Sequence, residues 1–147
     1  TLATNLLEVG ASLLIDLLPG VLDGSVVASP QEEQKATYDS MIKKEHGIID
    51  WTKPALQLER EIRAFVEWPK SQTKLGNVDV VITKSHTTPA NNPEMQPGQM
   101  EIVDDVHMIR VECGSGSLWI DRLKPAGKNE MDVAGFLAGY KSRLLDI

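Results

Sequence analysis

Basic side chains carry most of the recognisable chemistry in this sequence. Lys43 and Lys44 are adjacent in a segment of little periodicity, and other candidates follow: Arg63, Lys70, Lys74, Lys84, Lys124, Lys128, Lys141 and Arg143. Lysines make point-charge contacts to phosphate, so these groups could hold a polyanion if they shared one face. Judged by composition alone, the adjacent lysines are better interpreted as a solvated pair. For the other cations, a common patch and scattered surface charge are equally good interpretations.

The remaining reactive residue types predict no metal site and no catalytic residue. His46, His86 and His107 have no partner at metal-ligand spacing. Cys113 lies at a predicted strand end without the signature of a nucleophile, which favours a packed thiol. The run Gly114-Ser115-Gly116-Ser117 precedes a strand, whereas a phosphate-binding loop needs a helix start, so we expect a hairpin turn there.

Three tryptophans leave two interpretations open. Trp51, Trp68 and Trp119 could stack on nucleic-acid bases. Each adjoins an apolar or proline-bounded element, however, which favours packing over stacking. Trp68 is expected to form a wedge between a helix and the β-domain that follows.

Composition is that of a soluble globular protein. The chain has 147 residues, of which 41% are hydrophobic and 24% charged, enough for one domain with an appendage. We recognise neither an apolar run near the roughly 20 residues of a membrane helix nor a secretory leader. The single cysteine permits a reducing compartment. We therefore expect a cytoplasmic protein with no membrane partner.

The charge distribution is uneven along the chain. The net charge is −6, and residues 1–50 contain three basic and eight acidic residues, a net −5. Residues 51–147 are therefore close to neutral, at −1. A near-neutral domain offers phosphate only a local positive patch.

The hydrophobic pattern predicts one isolated helix and then a linker. Apolar residues at spacings of three and four predict a helix from Leu2 to Leu18, ended by Pro19-Gly20. Its stripe is more apolar than a lone surface helix should be, so we expect it to pack against the β-domain or to pair with a second chain. A plain core helix is as good an explanation. Residues 23–50 are typical of an extended linker.

Beyond the linker, the pattern predicts a small β-domain between two helices. One helix should begin near Lys53 and end at Pro69. Strands are expected at 72–75, 78–83, 100–103, 106–113 and 118–123, and a capped helix at 132–144. Five strands in short hairpins fit a small oligonucleotide-binding (OB) type barrel, although periodicity alone allows another barrel.

Several motifs resemble one enzyme family. They are Ala36-Thr37-Tyr38, the Lys-Glu-x-Gly-x-Ile-Asp-Trp pattern of residues 44–51, Ile62-Arg63-Ala64-Phe65-x-x-Trp68-Pro69, and Leu123-Lys124-Pro125-Ala126-Gly127-Lys128 with Phe136-Leu137-Ala138-Gly139. In this order they resemble the C-terminal part of methionyl-tRNA formyltransferases, over nearly the whole chain.

The resemblance implies a two-part enzyme of which this chain is the second part. Residues 1–22 would be the last helix of an N-terminal catalytic domain, 23–50 the interdomain linker and 51–147 an OB-like domain that helps to hold initiator methionyl-tRNA. The full enzyme would use 10-formyltetrahydrofolate as cosubstrate in translation initiation. No catalytic motif of the family is recognisable here, so we expect this chain to bind no cofactor and to be inactive alone. The resemblance also favours Lys43 and Lys44 as tRNA contacts.

Two alternatives remain open. The domain could be the accessory part of a sugar-nucleotide formyltransferase, which needs no tRNA patch. It could also be a non-enzymatic protein-interaction barrel, which the net charge of −6 favours. Clustering of the basic residues on one surface would support tRNA binding over both.

Overall fold

A computed structural model describes residues 2–145. The chain divides into two compact units, Thr1–Ser40 and Met41–Ile147. One long helix dominates the first unit, and a β-sheet with its covering helices forms the second.

The first unit contains helix α1, Leu2–Asp23, and none of its residues is buried. The helix was expected to end at Pro19-Gly20, and that end is wrong because the helix continues through Pro19. A proline inside a helix removes one backbone hydrogen bond and strains the preceding turn, but it does not always end the helix. The end comes instead at Gly24, whose φ of 79° suits a residue without a side chain.

The greater length of α1 also corrects the expectation about apolar runs. With 22 residues, it is long and apolar enough to cross a membrane by length and composition alone. Core helices of soluble proteins and signal sequences meet the same criteria, so this is weak evidence. Its exposed leucines include Leu2, Leu6, Leu7, Leu13 and Leu14.

The second unit is built on one antiparallel sheet, which confirms a mostly β fold with flanking helices. Its strands are β1 (Ser71–Leu75), β2 (Val78–Thr88), β3 (Met100–Val103), β4 (Met108–Glu112), β5 (Ser117–Pro125) and β6 (Met131–Asp132). They follow the order β1-β2-β5-β4-β3, and β6 pairs with β5. Over the described residues the sheet is open, and it is consistent with a small OB-like domain. The two-residue β6 is one strand more than the pattern predicted.

Strand β2 shows why the sequence folds in this way. Val78, Val80 and Ile82 alternate with polar or half-exposed residues, and all three are buried. Strand β5 lies opposite, with Leu123 facing Ile82 and Ile120 facing Ser85. The register shifts between these two pairs, as at a β-bulge, and β5 has buried apolar side chains on both sides of the shift, at Leu123 and at Ile120.

Two helices cover the buried face of the sheet. Helix α2, Ala55–Ala64, buries Ala55, Leu58 and Ile62, and helix α3, Val133–Leu145, buries Phe136 and Leu137. The predicted start of α2 was two residues early. Its predicted end at Pro69 is wrong because residues 65–69 form turns after Ala64.

A buried carboxylate holds the long loop between β2 and β3. Glu112 is 1% exposed, and its two oxygens lie against the Asn91 amide and the Ser117 hydroxyl, the latter at 3.0 Å. The Ala90 carbonyl lies 2.9 Å from Ser117 Oγ and competes with Glu112 for its single proton, and Asn91 Oδ1 accepts from the Gly116 N–H at 2.7 Å. The loop is thereby fixed to the β4–β5 turn.

We expect Glu112→Ala to lower the free energy of unfolding by about 2–4 kcal/mol, because the buried Ser117 hydroxyl and the Asn91 amide would lose a hydrogen-bond partner. Glu112→Gln is the control. Its amide keeps the shape, accepts from Asn91 and donates to Ser117, so it should lose less than half as much. Urea unfolding of the three proteins measures this, and equal losses for both variants would contradict the role of the network.

Candidate nucleic-acid interface

The exposed side of the sheet presents a continuous row of cross-strand pairs. We call it the outer face and define it by the pairs Lys74–Asp79, Val81–Lys124, Lys84–Arg122 and His86–Trp119. All these residues are at least partly exposed. The bulge in β2 and β5 keeps the last two pairs on the same side as the first two.

The turn that follows Lys43 contacts the backbone of Lys70. Lys44–Gly47 forms one 3-10 turn, and Gly47 is buried. A side chain at Gly47 would place its Cβ 2.2 Å from the Lys70 carbonyl oxygen, so only glycine permits this approach. The turn that begins at Lys44 therefore ends, at Gly47, against the backbone of Lys70.

Lys70 has a strained backbone. Its φ is 73°, in the left-handed region that lysine rarely adopts, while its N–H donates to the Phe65 carbonyl at 2.9 Å. The residue is exposed and forms no ion pair with any described residue. A left-handed residue with a Cβ costs roughly 1–2 kcal/mol relative to glycine.

Four other predicted cations form two pairs, and the two members of each pair line the same cavity. Lys74 and Lys124 line one pocket of the outer face, and Arg63 and Lys84 line a smaller groove between α2 and β2. Lys74 lies 3.9 Å from Asp79 and Arg63 lies 3.7 Å from Glu59, both at the long end of ion-pair distance. Lys84 and Lys124 form no ion pair among residues 2–145, so they remain available to an anion.

The last three predicted cations are less available or stand apart. Lys141 is tied to Asp104 at 2.6 Å, and the Arg143 guanidinium lies over the Tyr140 ring at 5.7 Å from its centroid. Lys128 follows the tight turn that closes on the Pro125 carbonyl. The structure thus brings the predicted residues together in small groups.

Of the three tryptophans, Trp51 packs against the core. Its indole N–H donates to Thr73 Oγ1 at 3.1 Å, whereas Trp119 lies on the outer face and donates to Thr88 Oγ1 at 3.1 Å. Trp68 was expected to be a wedge, and that prediction is wrong because its exposed fraction is 56%. With α2 ended at Ala64, the turns point the neighbouring Pro69 inward instead.

The outer face also carries a row of contacting side chains that the sequence did not predict. His86 stacks on Trp119 with 6.1 Å between ring centroids, and the Arg110 guanidinium lies 5.8 Å from the Trp119 ring on the next strand. Arg110 in turn pairs with Glu101, and His86 Nδ1 lies 2.8 Å from Asp121. Only the strand order β2-β5-β4-β3 reveals this row, since its members are far apart in sequence.

Burial governs the chemistry of the single cysteine. Burial raises the pKa of the Cys113 thiol to about 11, and the neighbouring Glu112 carboxylate adds to this rise. Cys113 is 1% exposed, with its Sγ 3.6 Å from the Val111 carbonyl, so the expectation of a packed thiol is confirmed. Within residues 2–145 no three His, Cys, Asp or Glu side chains are grouped so that they could hold a metal ion.

Comparison with known families supports the resemblance seen in the motifs. The model of the formyl transferase C-terminal domain matches residues 41–141. Among curated proteins, the methionyl-tRNA formyltransferase of Trichlorobacter lovleyi is 38% identical over 133 residues, which are 90% of this chain and 41% of that protein. The enzyme of the same name from Myxococcus xanthus is 36% identical over 141 residues, 96% of this chain and 44% of that protein. The chain thus spans less than half the length of these relatives.

Solved structures of HypX from Aquifex aeolicus share the fold. One variant aligns with a TM-score of 0.61 at 16% identity, over 88% of this chain and 23% of HypX. The structure of HypX in complex with tetrahydrofolic acid aligns with a TM-score of 0.59 at 17% identity, over 91% of this chain and 23% of HypX. At this identity the likeness establishes the fold alone.

We expect Lys70→Gly to raise the free energy of unfolding by about 1 kcal/mol, because glycine adopts a positive φ without strain. The matched control is His107→Gly, since His107 is also exposed and has a φ of 51°. Chemical denaturation should show a gain for both variants. A loss of stability in Lys70→Gly alone would mean that its side chain makes contacts that outweigh the strain.

Proposed function

The chain belongs to the formyl transferase C-terminal domain family, and from that membership we propose that it is the tRNA-holding part of a methionyl-tRNA formyltransferase. The observation that carries the proposal is the 38% identity to an enzyme of that name along 90% of the chain. The whole enzyme would transfer a formyl group from 10-formyltetrahydrofolate to methionyl initiator tRNA, in the cytoplasm, at the start of translation.

The proposed reaction is an acyl transfer. The amino group of methionine attacks the formyl carbon, a base takes the amine proton, and hydrogen-bond donors stabilise the oxyanion. We assign none of these roles to a residue of this chain. Formyl transfer by this chain alone should therefore be undetectable, and the cosubstrate would bind the N-terminal catalytic portion.

The contribution of this chain would be electrostatic. Lys43 and Lys44 lie at the start of a turn whose Gly47 packs against the Lys70 backbone, while Lys84 and Lys124 lie on the outer face without an ion pair to any described residue. Ammonium groups in such positions contact phosphates and sugars, so they position an RNA without reading its sequence. Arg63, Lys74, Lys128, Lys141 and Arg143 would add weaker contacts, because several of them already have partners.

Helix α1 would serve a different partner. Its apolar side chains are exposed, as a helix that docks on another domain requires. We propose that the N-terminal catalytic portion covers it in the whole enzyme. A dimer through α1 is the alternative, and sedimentation of this chain with and without residues 1–23 distinguishes them: a monomer in both cases contradicts the dimer.

The proposal is tested by binding initiator tRNA to the chain across a salt series. Binding should weaken steeply with salt, and Lys43→Ala/Lys44→Ala should reduce the slope of log K against log salt by about 2, because two phosphate contacts are lost. Lys35→Ala/Lys53→Ala is the matched control. It removes the same charge from lysines already paired with Glu32 and Glu61.

Equal reductions in slope for the two double variants would mean that only net charge matters, which contradicts a contact at Lys43 and Lys44. Absence of binding even at low salt would contradict tRNA holding by this chain. It would favour the protein-interaction function, which the net charge of −6 supports.

A further inference from the structure

A pocket of 510 Å³ opens on the outer face where the linker meets the sheet. Val81 and Pro125 line it from β2 and β5, and Ile48 and Ile49 line it from the linker. Lys74 and Lys124 lie at its lining as well. The volume falls in the range of about 300–1,000 Å³ that small-molecule pockets occupy.

Backbone pairing fixes the shape of this pocket. The Ile49 N–H donates to the Gln72 carbonyl at 2.9 Å, and Ile48 forms a parallel bridge with Gln72. Gln72 lies opposite Val81, which lies opposite Lys124. An apolar wall, an apolar floor and a lysine therefore stand in one line across the sheet.

The polar groups of the pocket are available to a ligand. Lys124 has no carboxylate within ion-pair distance among residues 2–145, and Lys74 has only Asp79 at 3.9 Å. The half-buried Gln72 makes no side-chain hydrogen bond to a described residue. The pocket thus combines apolar surface, an amide that both donates and accepts, the Lys74–Asp79 pair and, at Lys124, a positive charge that no described carboxylate neutralises.

We propose that this pocket takes one unpaired nucleotide of the bound RNA. The base would lie on Val81 against Ile48, with its polar edge toward Gln72 and its phosphate at Lys124. This inference rests on the proposed function. The phosphate contacts of the proposed function respond only to charge. The pocket would add a site that distinguishes an unpaired nucleotide from a paired one.

Charge complementarity favours a nucleotide over an apolar peptide segment. An apolar peptide side chain would fill part of the apolar surface but would leave Lys124 without a partner. A nucleotide has an apolar face, a polar edge and an anionic phosphate, and these match the three kinds of surface present. The pocket also lies on the same face as Lys84, so a chain of phosphates leaving it would meet further positive charge.

Truncation of the wall tests the pocket without disturbing the fold. Ile48 is 66% exposed, so Ile48→Ala opens no core cavity. We expect tRNA affinity to fall about five-fold, since apolar contact to the base is lost, while the salt slope stays unchanged. Leu56→Ala is the matched control, because Leu56 is 53% exposed on α2 and lies outside the pocket. Lys124→Ala should instead reduce the slope by about 1.

A second measurement does not depend on tRNA. Adenosine 5′-monophosphate, added to the whole chain, should shift the methyl NMR signals of Ile48, Ile49 and Val81. Ribose 5-phosphate at the same concentration should leave those signals in place, because it lacks the base. Equal shifts from both compounds, or no methyl shift from the nucleotide, would overturn the inference.

The two proposals fail in different ways. If Ile48→Ala binds tRNA like the wild type while Lys43→Ala/Lys44→Ala still flattens the salt dependence, the pocket inference is wrong and the proposed function stands. If no variant and no wild-type protein binds tRNA, the proposed function is wrong. The methyl shifts then decide the nucleotide pocket separately.

Discussion

The pairing of β2 with β5 is the constraint on which the rest of this domain depends. Both strands turn their apolar side chains to one side: Val78, Val80 and Ile82 in β2, and Leu118, Ile120 and Leu123 in β5, on either side of the shift in register near Thr83. Because side chains alternate, the same register decides which polar residues meet on the other side. Lys124 faces Val81 and Trp119 faces His86 for this reason. The composition of the outer face is thus a consequence of burying the inner one.

Two glycines attach the linker to this sheet. A Cβ at Gly114 would lie 1.9 Å from the Thr52 carbonyl oxygen, and one at Gly47 would lie 2.2 Å from that of Lys70. These approaches let Gly114 N–H donate to the Trp51 carbonyl and Ala55 N–H donate to the Ser115 carbonyl, each within 3.0 Å. Residues 47–55 therefore belong to the folded domain, and Ile48 and Ile49 form one wall of the pocket.

The sequence predicts which helices and strands exist better than it predicts where they end or which strands pair. Alternation in β2 and the turn at Gly114-Ser115-Gly116-Ser117 were predictable because each depends on residues close in sequence. The continuation of α1 past Pro19 and the exposure of Trp68 were not, since proline biases a helix end without fixing it. The row of contacts from His86 to Glu101 was also not predictable from the sequence. It depends on the order in which distant strands pair, and hydrophobic periodicity carries no information about that order.

Net charge is a poor guide to whether such a domain can hold RNA. At physiological salt, charges are screened beyond about 8 Å, so a phosphate responds to its immediate neighbours and only weakly to a total of −6. What matters locally is whether a cation is already neutralised. Lys141 is, at 2.6 Å from Asp104, whereas Lys84 and Lys124 have no such partner among the described residues. Lys70 adds a second kind of evidence, because a lysine in a left-handed conformation costs stability that glycine would not. An acidic protein can therefore present phosphate with a few cations whose charge no carboxylate cancels.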